Sequence, residues 1–71
     1  MASQDVCDAV ALFRDRAQEN GDSTGAKWAE FLVQESERKS DQGLLNVYPA
    51  IMRLVLPPDV FRRIDAEDGA R

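Results

Sequence analysis

The chain has 71 residues, with 9 Lys and Arg against 13 Asp and Glu, no His and one Cys, for a formal charge of −4. A chain of this size buries only about 60% of its unfolded surface, which leaves room for one modest core and a single domain. One Cys excludes an internal disulfide, and the lack of His beside it excludes an ordinary zinc site, so helix packing, self-association or a partner must supply the missing margin of stability.

With 44% hydrophobic and 31% charged residues the chain has the composition of a folded globular domain, not of a disordered one. Its start, Met1-Ala2-Ser3-Gln4-Asp5, carries no basic leader. Its longest strongly apolar run, Leu54-Val55-Leu56, falls far short of the about 20 residues that cross a bilayer. A cytoplasmic protein without membrane association is the expectation.

Val6, Val10, Phe13 and Ala17 recur at helical spacing and predict an amphipathic helix over about residues 4–19, with Ser3 as N-cap and Asn20-Gly21 as a left-handed stop. Asp22 or Ser23 can cap a second helix over about 24–41. Its apolar half carries Trp28, Ala29, Phe31, Leu32 and Val33, and Gln42-Gly43 reads as its stop.

The stretch from Leu44 to Leu56 is the most apolar, with Leu44, Val47, Ile51, Leu54 and Val55 along one side. Pro49 belongs in a first turn, which predicts an Asn46 cap and a buried third helix over about 47–56; a kinked helix from Leu44 competes with it. Pro58-Asp59 opens a fourth helix over about 58–66, striped by Val60, Phe61 and Ile64, before a frayed tail. Together these elements predict an all-α, small single-domain bundle of about four short helices. The strand reading of residues 44–48 has no second β-rich run to pair with.

Little in the sequence carries catalytic chemistry. The commonest proton shuttle is absent with His. Cys7 has no Lys or His beside it and reads as a small residue at the edge of the core. The carboxylate pairs Asp5/Asp8, Asp15/Glu19 and Asp65/Asp68 read as solvated faces and caps. Gly21 and Gly25 do not make a phosphate loop, because no Gly-Lys-Ser/Thr follows and Asp22 would repel the anion. No enzymatic activity and no cofactor are expected. The basic pairs Arg14/Arg16, Arg38/Lys39 and Arg62/Arg63 are interleaved with acids, so direct nucleic-acid binding is not expected either.

Trp28, Phe31, Leu32 and Glu35 share one side of the second helix and form a candidate contact patch, aromatic at its centre and charged at its rim. Two plainer readings stand beside it: Trp28 as an anchor of the core, and Glu35 as an i,i+4 ion pair with Lys39. Leu12, about 120° off the first helix's stripe, and Arg62 with Arg63 are secondary contact candidates. The ending Leu56-Pro57-Pro58-Asp59-Val60-Phe61-Arg62-Arg63-Ile64 resembles, over one helix, the small Hha-type modulators of gene expression. That resemblance implies action through a nucleoid protein.

The sequence therefore predicts an acidic helical protein-binding module, acting as adaptor, inhibitor or regulator on another protein, with homodimer formation open. One alternative is a DNA-associated transcriptional regulator, acting as a dimer or through a nucleoid protein and turning Arg53, Arg62 and Arg63 toward phosphate. Another is a self-assembling structural subunit.

Overall fold

The computed structural model describes residues 1–69, with side chains described through Ala66. Its first helix, α1 (Gln4–Glu19), ends at the left-handed stop that Asn20-Gly21 predicts. Gly21 adopts φ +68°; its N–H donates to the Gln18 carbonyl at 3.2 Å, and the Asp22 N–H donates to the Ala17 carbonyl at 2.9 Å. These two bonds satisfy helix-end carbonyls in the pattern a glycine just past the cap allows.

Ser3 stands at the N-cap as expected, yet its hydroxyl does not cap: Oγ is buried with no hydrogen-bond partner among the described residues. The backbone is held by distant groups instead. Ser3 N–H donates to Asp41 Oδ1 at 2.7 Å, and Ala2 N–H donates to the Ser36 carbonyl at 2.7 Å.

Asp22 caps α2 (Ser23–Arg38), its Oδ1 accepting the Gly25 N–H at 2.9 Å. A Cβ at position 25 would run into that carboxylate. The α1–α2 pair is the most extensive helix contact in the molecule. On α2 the residues buried are Ala29, Leu32 and Ser36, two of them small, and short side chains let two helices approach closely.

Beyond α2 the structure departs from the sequence reading. α2 stops at Arg38, Lys39 is extended, and Ser40 caps a new helix, α3 (Asp41–Val47), through Oγ accepting the Gly43 N–H at 3.2 Å. Gln42-Gly43 is thus in a first turn, not a stop. A hydroxyl cap followed by an acid is a start signal, and here it outweighs the glycine. The next break falls at Tyr48 (φ −125°, ψ 55°), since the residue before a proline is pushed out of the helical region. Pro49 then takes the first position of α4 (Pro49–Val55). The N-cap is Tyr48, not Asn46, and among the described residues five helices replace the four expected.

α5 (Pro58–Gly69) runs past the expected end at 66. Of the tail expected over 67–71, residues 67–69 are helical in backbone, and Ala70 and Arg71 lie outside the described residues. α5 packs on α3 and α4. Gln42 Nε2 donates to the Ile64 carbonyl at 2.7 Å, and Arg63 pairs with Asp5 at 2.8 Å.

One core joins the helices: Ala2, Val6, Val10, Leu32, Leu44, Met52, Val55, Leu56 and Ile64. Each large apolar member contributes about 1.5–3 kcal/mol by leaving water. The α3–α4 stretch carries more apolar side chains than one face can bury. It buries the side of Leu44, Met52 and Val55, so Val47 and Leu54, expected inside, are turned outward. The fold is all-α, with no strand among the described residues and no described helix long and apolar enough to cross a membrane.

Candidate functional site

The small-residue face that α2 turns to α1 decides where its aromatics go. At about 100° per residue, Trp28 lies about 90° to one side of the line through Ala29 and Ser36, and Phe31 lies further round. Both are consequently exposed, Trp28 by 46% and Phe31 by 40%. The Trp28 ring meets Phe31 edge to face at 6.1 Å between centroids, and Phe31 meets Tyr48 in the same way at 5.5 Å. This ladder of three rings carries α2 onto the α3–α4 junction, with a geometry that aromatic quadrupoles favour.

Leu32 does not belong to the exposed patch in which the sequence places it. It is fully buried in the core, because the side of α2 that faces α1 runs through Ala29, Leu32 and Ser36. Glu35 is half-buried, and Lys39 Nζ approaches its carboxylate at 3.4 Å, the i,i+4 pair that the spacing allows. Trp28 stays outside the core cluster.

Four shallow grooves follow one another from this ladder, each sharing a wall with the next. Thr24, Lys27, Trp28 and Phe31 line the first. Trp28 continues into a second with Val47, Tyr48, Ile51 and Leu54. Leu54 is also a wall of a third, with Ala9, Leu12, Phe13 and Arg16. The last groove, with Arg53, Phe61 and Arg62, shares with the third only Leu56, which is buried in the core. Six large apolar side chains are exposed among the described residues, and every one except Met1 lines this band: Leu12, Trp28, Phe31, Val47 and Leu54.

Charge on the band differs from charge on the chain. The charged residues in the groove walls are Arg16, Lys27, Arg53 and Arg62, all basic, although acids outnumber bases overall. Arg53 lies over the Phe61 ring at 5.5 Å, close enough for cation–π attraction. Arg62 and Arg63, taken together in the sequence, part company here. Arg62 lines a groove, whereas Arg63 is held on Asp5 of α1.

Sequence reasoning missed Val47, Leu54, Tyr48, Lys27 and Arg16 as members of one surface. The available signal was the distribution of apolar residues all round positions 44–56, too many for a small core. Cys7 contributes nothing to this face; it is half-buried against the core, its thiol donating to the Ala2 carbonyl at 3.7 Å. No family model matches the chain, and no curated protein or solved structure shows significant similarity to it.

Proposed function

We propose that this chain is a protein-binding module that docks its target along the groove band from Phe31 to Phe61, as an adaptor, inhibitor or regulator of a larger protein. One observation carries the reading: five of the six exposed large apolar side chains are gathered on one connected surface, and Leu54 on it is 79% exposed. A side chain so placed adds little to folding. Contiguous apolar surface of this kind, rimmed by polar groups, is how interaction sites are built.

The DNA-associated reading has less support. Of the three cations it turns toward phosphate, Arg63 is engaged with Asp5, and the chain as a whole carries a formal charge of −4.

The test is capture from native lysate with the wild-type chain and with Leu54→Glu, a substitution at a position with almost no contact to lose. Far-UV circular dichroism first establishes that the variant keeps its helicity. A discrete protein retained by wild type at about 1 M salt, where charge interactions are screened within about 3 Å, and lost from Leu54→Glu is the expected result. Identical retention by both chains would overturn the reading, and nucleic acid alone, removed by salt, would favour the DNA-associated one.

A further inference from the structure

We propose that the occupant of this face is an amphipathic helix of another protein, with acidic residues flanking its apolar stripe. The inference rests on the docking reading above and adds to it the secondary structure and charge of the partner.

The charge follows from the walls. Arg16, Lys27, Arg53 and Arg62 line the band with no carboxylate among the groove-lining residues, while three of the acids elsewhere have cations of their own. Asp5 is held by Arg63 at 2.8 Å, Glu35 by Lys39 at 3.4 Å and Asp15 by Arg14 at 3.7 Å. In a chain of formal charge −4, a basic rim around an apolar floor is a local inversion, and it complements a partner with the opposite pattern.

The helical form follows from the backbone. The described residues contain no strand, so addition of a partner strand to a sheet edge is not available here. An incoming helix satisfies them internally and needs only an apolar stripe for the floor between Trp28 and Leu54.

A second copy of this chain fits less well. A two-fold contact through this face would set one basic rim against another, with no acid in the grooves to pair with either. An anionic membrane fits less well too. The grooves are concave, and the net negative charge of the chain opposes approach to such a surface.

Trp28 is the only tryptophan in the chain and stands at the junction of two grooves, so its emission reports on occupancy of the face. The probes are two designed helical peptides with one identical Leu/Phe stripe, flanked by Glu in one and by Lys in the other. The expected result is a blue shift of Trp28 on titration, with the Glu peptide binding about tenfold more tightly at low salt and the difference vanishing near 1 M salt. Arg16→Glu with Lys27→Glu, both exposed and outside the core, leaves two cations against two acids on the rim and is expected to abolish the preference for the Glu peptide while leaving helicity unchanged.

Equal binding of both peptides would overturn the acidic-partner inference and leave the docking reading standing. A blue shift with protein concentration alone, abolished by Leu54→Glu, would overturn it in favour of a second copy. A shift with vesicles containing phosphatidylserine, matching that with the Glu peptide, would overturn it in favour of a lipid surface. No shift with either peptide would also overturn it, and the docking reading would then be decided separately by the capture experiment with Leu54→Glu.

Discussion

The α1–α2 hairpin and the α3–α5 segment pack around the same core but are specified in different ways. The hairpin is written in local grammar: Gly21 closes α1, Asp22 opens α2, and all the bonds that make the turn lie within a few residues of it. The three later helices are short, two of them seven residues each, and isolated helices below about 12–15 residues are marginal in water. They depend on distant support: Asp41 on Ser3, Gln42 on the Ile64 carbonyl, Arg63 on Asp5. The contrast shows why the docking face forms where it does. α2 presents its aromatics, and the α3–α4 junction meets them through Tyr48.

The sharpest way to break the comparison is Leu44→Ala. Leu44 is fully buried, and removing such a side chain costs about 2–5 kcal/mol, comparable with the about 3–5 kcal/mol that a core of this size supplies. Urea titration by circular dichroism is expected to show the variant largely unfolded, with amide protection lost from α1 and α2 as well as from α3–α5. Protection persisting in the hairpin alone would mean that it folds without the later helices. Gly21→Ala tests the local side at smaller amplitude. An L side chain held at φ +68° costs about 1–2 kcal/mol, so the urea midpoint is expected to fall with the slope unchanged. An unchanged midpoint would show that the turn relaxes without loss.

How far the sequence could be read follows the same division. In the hairpin, Asn20-Gly21 and Asp22 are signals whose partners are nearby in the chain, and the helix ends they predict are those observed. After Arg38 the signals conflict. Ser40-Asp41 starts a helix while Gln42-Gly43 reads as an end, and only the docking of Asp41 on Ser3 shows why the start prevails. The contact patch was legible in the same partial way. Trp28, Phe31 and Leu12 could be found from their types and spacing, but the side of α2 that faces α1 is set by Ala29 and Ser36, residues without a strong hydrophobic signal. That choice took Leu32 into the core and left room for Val47 and Leu54 on the surface.

Pro49 is where the two modes of specification meet, and Pro49→Ala separates them at the smallest amplitude. With proline, Tyr48 is kept out of the helical region and α3 and α4 meet at a break; with alanine, that local constraint is gone. If burial of Met52, Val55 and Leu56 is what holds α4 in place, the break survives without its proline. The cost is then only the extra freedom of the unfolded chain, about 0.4–1 kcal/mol, read as a slightly lower urea midpoint with native helicity unchanged. A rise in helicity would instead mean that α3 and α4 have fused. Fusion would carry Tyr48 away from Phe31, remove the wall that Tyr48 shares with Trp28, and be visible as altered Trp28 emission. The expected outcome is the first, because three side chains withdrawn from water outweigh the preference of a single dihedral.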